Sequence, residues 1–156
     1  MSTDDGTSRV VVGVDGSPAS HAALRWALRY ARRTGAAVRA VGAYDLPGAG
    51  WSASAVDVLF DEEQARRSLS EELGAVLAAD ADVPLVQHVV RGNPAQVLIG
   101  ESDGAELLVV GSRGRGGFAS LLLGSVSQQC AAHASCPVVI VRPETADGTP
   151  PAGDTP

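Results

Sequence analysis

The chain has 156 residues, 45% of them hydrophobic, with a formal net charge of −6 and an isoelectric point near 4.9. That length and apolar content support one compact domain with a real core, while the acidic balance and scarcity of Phe and Tyr leave no basic footprint or stacking platform for nucleic acid. No apolar run approaches the roughly 20 residues of a membrane span and the start lacks the order of a signal peptide, so the expected location is the cytoplasm, with neither membrane nor nucleic-acid partners.

Met1–Thr7 is polar and Glu144–Pro156 is rich in Pro, Gly, Asp and Thr. Such segments bury too little surface to order themselves, and both read as flexible tails around a domain at residues 8–143. The β-branched run Arg9–Asp15 reads as a strand covered on both faces. Ser17 then supplies an N-cap and Pro18 a first helical position, and Ala22, Ala23, Trp26, Ala27, Tyr30 and Ala31 recur at helical spacing up to the Gly35 stop. Ala37–Tyr44 is a second strand, Asp45–Ala55 a loop, and Val56–Ala79 a long amphipathic helix carrying Leu59, Phe60, Leu69, Leu73, Val76 and Leu77. Val83–Val90 is a third strand, Pro94–Ser102 a short helix, Glu106–Val110 a fourth strand, Leu122–Ala134 a helix and Pro137–Val141 a fifth strand. Five strands alternating with four helices imply an α/β fold, a parallel sheet with right-handed crossovers and helices on both faces.

In such sheets ligands bind outside the carboxyl ends of the strands, where strand order reverses. The first strand ends at Asp15 and the fourth empties into Gly111-Ser112-Arg113-Gly114-Arg115-Gly116-Gly117, answered by Gly124-Ser125. Should those strands be neighbours, a carboxylate suited to ribose hydroxyls lies beside amides suited to phosphate. The plainer account of Asp15 is helix capping, but Ser17 and Pro18 already fill that role, which favours a ligand. The plainer account of the glycines is a loop needing positive φ; five glycines between 111 and 124, interleaved with Arg113 and Arg115, favour an anion site instead.

Other nucleotide motifs fit less well. A Walker A loop needs lysine and the chain contains none; a nucleophile elbow is absent; and Gly114-x-Gly116-x-x-Ala119 matches the dinucleotide pattern but follows the wrong strand and has no acidic residue about 20 positions on. His21, His88 and His133 are scattered without ligand spacing, so no metal site is expected. Asp61-Glu62-Glu63 and Glu71-Glu72 read as solvated helix faces, and Cys130 and Cys136 as ordinary, largely buried thiols.

The spacing Gly111-x2-Gly114-x9-Gly124-Ser125 resembles the ATP-binding signature of the universal stress protein family. The opening Val11-Val12-Gly13-Val14-Asp15-Gly16-Ser17 and the ending Cys136-Pro137-Val138-Val139-Ile140-Val141 are similar to the same family, so the likeness spans about residues 8–143. The resemblance implies an adenine nucleotide alpha hydrolase-like fold with sheet order 3-2-1-4-5. It also implies ATP as ligand, with any magnesium carried by the phosphates, and a homodimer joined through the last strand. Carried over by position, Asp15 takes the ribose, and Gly13, Val14, Ala43 and Val110 border the nucleoside. Gly111, Arg113, Gly114, Gly124, Ser125 and Val126 line the phosphate path. Ala43 stands where the family often has valine and Arg113 where it often has histidine, which implies looser base packing and a guanidinium at the phosphate. The function implied is a nucleotide-dependent regulator in stress response or signalling, acting on an unidentified protein partner with little or no turnover. The alternatives are a slow ATPase or self-phosphorylating enzyme, given Ser112, Ser120, Ser125 and Ser127, and a nucleotide-free interaction module.

Overall fold

The computed structural model describes residues 7–44, 55–77, 82–114 and 123–143, with the side chains of 55–60 excepted. Both tails, apart from Thr7, the loop after the second strand and the stretch 115–122 with Arg115, Gly116, Gly117 and Ser120 lie outside the described residues. Five strands, β1 (Arg9–Gly13), β2 (Ala37–Tyr44), β3 (Leu85–Arg91), β4 (Leu107–Gly111) and β5 (Val138–Val141), alternate with four helices, α1 (Pro18–Thr34), α2 (Ala55–Leu77), α3 (Pro94–Glu101) and α4 (Ser125–His133). All strands are parallel in the order β3-β2-β1-β4-β5. In register, Val12 faces Ala40 of β2 and Val109 of β4, so β1 is the central strand and its order reverses toward β4.

Side chains alternate across a strand, and the two core layers follow from it. Val10 and Val12 of β1 join Val38, Ala40 and Val109 under α1 and α2, where Leu24, Leu28, Leu69 and Leu73 close the layer. Val11 points the other way, with Val41, Leu108 and Val110, against Leu98 of α3 and Cys130 of α4. Small residues let α1 lie close to the sheet, since Ala22, Ala23, Ala27 and Ala31 are all buried. Its ends are fixed as the sequence predicts: the Ser17 hydroxyl accepts from Ser20 N–H at 3.2 Å, and Gly35 takes a left-handed φ of 77°. Such a cap contributes about 1 kcal/mol.

Several boundaries differ from the expectation for local reasons. The first strand stops at Gly13, not Asp15. Val14 N–H still bonds to Val41 O at 2.9 Å, but Asp15 N–H turns to the Ser20 hydroxyl and Gly16 turns the chain at φ 82°. The third strand starts at Leu85, after Pro84, which has no N–H to give the ladder. The last helix begins at Ser125, because Gly124 is its extended N-cap at φ −75°, ψ 169°. Glu72 is not simply solvated, since it pairs with His21 and ties α1 to α2. Glu62 and Glu63 instead make exposed i,i+4 pairs with Arg66 and Arg67. His88 and Arg39 both reach Glu101 at the end of α3, and His133 is exposed. Cys130 is fully buried and Cys136 half-buried. No described helix is long and apolar enough to cross a membrane.

Candidate functional site

At the carboxyl ends of β1 and β4 the chain builds a small polar knot. Asp15 Oδ1 accepts from Ser17 N–H at 2.9 Å and from the Ser17 hydroxyl at 2.5 Å, while the Ser20 hydroxyl donates to Ser17 O at 3.0 Å. Ser17 and Ser20 are buried and Asp15 is exposed, so the Ser17 hydroxyl holds the carboxylate at the cleft rim while the Ser20 hydroxyl holds the backbone of Asp15 and Ser17. The cap and the carboxylate are thus one device: Asp15 supports the residue that caps α1 while presenting its other oxygen, Oδ2, toward Gly114. A Cβ built on Gly114 would lie 2.7 Å from that oxygen.

The glycines of the segment after β4 do different jobs, and none of the described ones needs positive φ. The positive-φ glycines among the described residues are Gly16, Gly35, Gly92 and Gly104. At Gly111 a Cβ would fall 2.7 Å from the backbone carbon of Ala19 and 2.9 Å from Ser20 N, so glycine there lets the end of β4 pass against the first turn of α1. Gly124 donates its N–H to Ser112 O at 2.7 Å. Gly13 admits α3, since a Cβ there would meet Leu98 Cδ1 at 2.8 Å.

A cavity of about 250 Å³ opens at this point. Of the eleven residues the sequence singles out, Gly13, Val14, Asp15, Ala43, Val110, Gly111, Arg113, Gly114 and Val126 line it. Gly124 and Ser125 do not: Gly124 sits behind Arg113 and Gly114, and the exposed Ser125 hydroxyl accepts from Gln129 Nε2 at 3.0 Å. Ser17, Ser20, Val41, Pro94 and Leu98, which sequence reasoning did not assign to the site, complete the wall with Ser127, which it named only as a phosphate acceptor of the enzyme alternative. A signal for the α3 residues existed in Gly13, because glycine inside an otherwise β-branched strand marks close approach of another element. A neighbouring cavity of about 330 Å³ shares Val14, Asp15 and Ala43 and extends toward Leu69, Glu71 and Glu72 of α2.

These features define an open, doubly wound α/β protein with a crevice at its topological switch point. The chain belongs to the universal stress protein family, whose family model matches residues 6–142. It is 40% identical over 140 residues to a universal stress protein of Mycolicibacterium smegmatis, a match covering 86% of this chain and 45% of that protein. The chain therefore spans about half the length of the curated relatives it matches. Among solved structures it resembles the universal stress protein UspA of Lactobacillus plantarum, with TM-score 0.71 and 22% identity over 86% of this chain and 97% of that one. It also resembles a universal stress protein crystallised in complex with cAMP, with TM-score 0.62 and 28% identity over 88% and 98% of the two chains. The fold is the adenine nucleotide alpha hydrolase-like fold of these proteins.

Proposed function

We propose that this chain binds an adenine nucleotide, ATP in the first place, in the cleft between the ends of β1 and β4. In this reading it acts as a nucleotide-dependent regulator in the cytoplasm, read by another protein in a stress or signalling response. The observation that carries the reading is the meeting of Asp15 with Arg113 and Gly114 around one cavity. Asp15 supplies an acceptor for ribose hydroxyls, and Gly13, Val14, Ala43 and Val110 supply an apolar surface for the base. Gly111, Arg113, Gly114 and Val126 form the phosphate side, with Gly124 and Ser125 outside the cavity lining at the start of α4, and the phosphates bring any magnesium. The family member solved with cAMP supports the choice of an adenine ligand.

The cavity's size is consistent with this division. About 250 Å³ is just under the range of roughly 300–1,000 Å³ typical of small-molecule pockets, enough for a nucleoside with its phosphates running out over the Gly114 edge. The cradle also fits a ligand test, because a side chain at Gly114 would displace the Asp15 carboxylate. Gly114→Val is therefore expected to abolish ATP binding in calorimetry while the protein stays folded. Analysis of the small molecule released from the purified protein should yield ATP, ADP or AMP. Unchanged ATP affinity in folded Gly114→Val would move the site elsewhere.

A further inference from the structure

Ser127, the third residue of α4, is 1% exposed, in a place where a hydroxyl is costly unless it is bonded. Its Oγ lies 2.9 Å from Gly124 O and 3.0 Å from Ser112 O. The first contact is the usual back-bond within a helix. The second is not local, since it crosses to the end of β4, fifteen residues earlier. Ser112 O already accepts the Gly124 N–H at 2.7 Å. The Ser127 hydroxyl has one proton, shared between the Gly124 and Ser112 carbonyls in a three-centre bond, and its share gives Ser112 O a second donor for its second lone pair.

The two bonds form a clasp that ties residue 112 to residues 124 and 127 and bypasses everything between them. The clasp matters because of what it holds. Gly124 offers no side-chain cap, so the first-turn amides of α4 have no side-chain acceptor from the N-cap. The far end of the helix is anchored by Cys130 in the core, whereas near its start Ser127 and Val126 border the cavity. We propose that Ser127 is a positioning residue: by bonding to the Ser112 carbonyl it sets the place of the α4 amides relative to the cleft, and thereby the affinity for phosphate-bearing ligands. This rests on the nucleotide reading above. It assigns Ser127 to the phosphate half of the site alone, because the nucleoside half is built by Gly13, Val14, Ala43 and Val110, none of which Ser127 bonds.

The test compares ATP with adenosine on wild type, Ser127→Ala and Ser127→Thr, together with amide hydrogen exchange at Gly124. Loss of one neutral hydrogen bond should weaken ATP binding by about five-fold and leave adenosine unchanged, and Thr, which keeps the hydroxyl, should restore ATP affinity. Gly124 exchange should quicken by a similar factor, about five-fold, in Ser127→Ala. An equal loss for ATP and adenosine, or no loss for ATP, would overturn the assignment. If wild type binds neither ligand, the nucleotide reading falls with Ser127's part in it, and the clasp is judged on exchange: unaltered Gly124 protection in Ser127→Ala refutes it.

Discussion

Gly111 and Gly124 belong to the same glycine signature, yet the structure gives them opposite sensitivities. A methyl at Gly111 would enter the backbone of Ala19 at 2.7 Å, which cannot yield without moving α1. At Gly124 the nearest atom to an added Cβ is 3.4 Å away and the backbone is ordinary extended chain. Gly111→Ala should lower stability by about 1–3 kcal/mol, the usual effect of overpacking, and Gly124→Ala by less than about 1 kcal/mol; urea denaturation of both variants checks this. Cys130 offers another test. Burial pushes its thiol up to about 11 from 9.0, so the folded state holds a proton that the unfolded chain releases. A raised value means that this stability is fully present below pH 9 and is lost as pH rises toward 11. The loss amounts to about 2–3 kcal/mol by linkage. Cys130→Ala should flatten that part of the alkaline slope in denaturation curves; an unchanged slope would show that other groups carry it.

At the scale of elements, the strands and helices were legible because a parallel sheet covered on both faces demands uninterrupted β-branched runs, and α1 carries its own punctuation in Ser17, Pro18 and Gly35. The sheet order was not in the periodicity; it came from the family likeness, and the pairing of β1 with both β2 and β4 bears it out. Less legible was the site's third wall. Pro94 and Leu98 lie about eighty residues from Val14 and Asp15 in the sequence, and only the packing of α3 over Gly13 brings them in. Ser17 and Ser20 were hidden for a different reason, since a cap explains a serine without requiring a cavity. β5 raises the question of what covers an edge. Val138–Val141 pairs with β4 on one side, and all four residues are half-buried. An apolar edge strand invites pairing with another chain, and a two-fold mate would close it. On that reading the protein is a homodimer through β5, and Val139→Lys, whose stem can lie along the apolar surface while its charge seeks water, should give folded monomers by light scattering. A monomeric wild type would refute the interface, and a dimer that survives the substitution would place it elsewhere.

At the scale of the whole molecule, the distribution of charge decides between holding a nucleotide and consuming it. Rapid phosphoryl transfer requires fixed cations on the transferring group and a positioned nucleophile or base. The chain has no lysine, and no Asp or Glu occurs between Gly111 and Val141, so the segment facing the phosphates has no carboxylate of its own to order a water. The one carboxylate beside that segment among the described site residues, Asp15, is held by Ser17 through Oδ1, and on the reading above its Oδ2, which faces Gly114, is taken by the ribose. Nor are the described serines of that segment well placed as acceptors: Ser112 is 2% exposed and Ser127 1%, and the single Ser127 hydroxyl proton is shared between two carbonyls. Ser125 is exposed but outside the cavity lining. The expected behaviour is therefore retention of ATP for far longer than one chemical turnover of an ordinary enzyme, with a rate well below about 1 per second. A single-turnover assay with radiolabelled ATP on protein freed of contaminating ATPases measures it, with Gly114→Val as the control. Hydrolysis near 1 per second that vanishes in the variant would make this protein an enzyme and overturn the reading of a nucleotide holder.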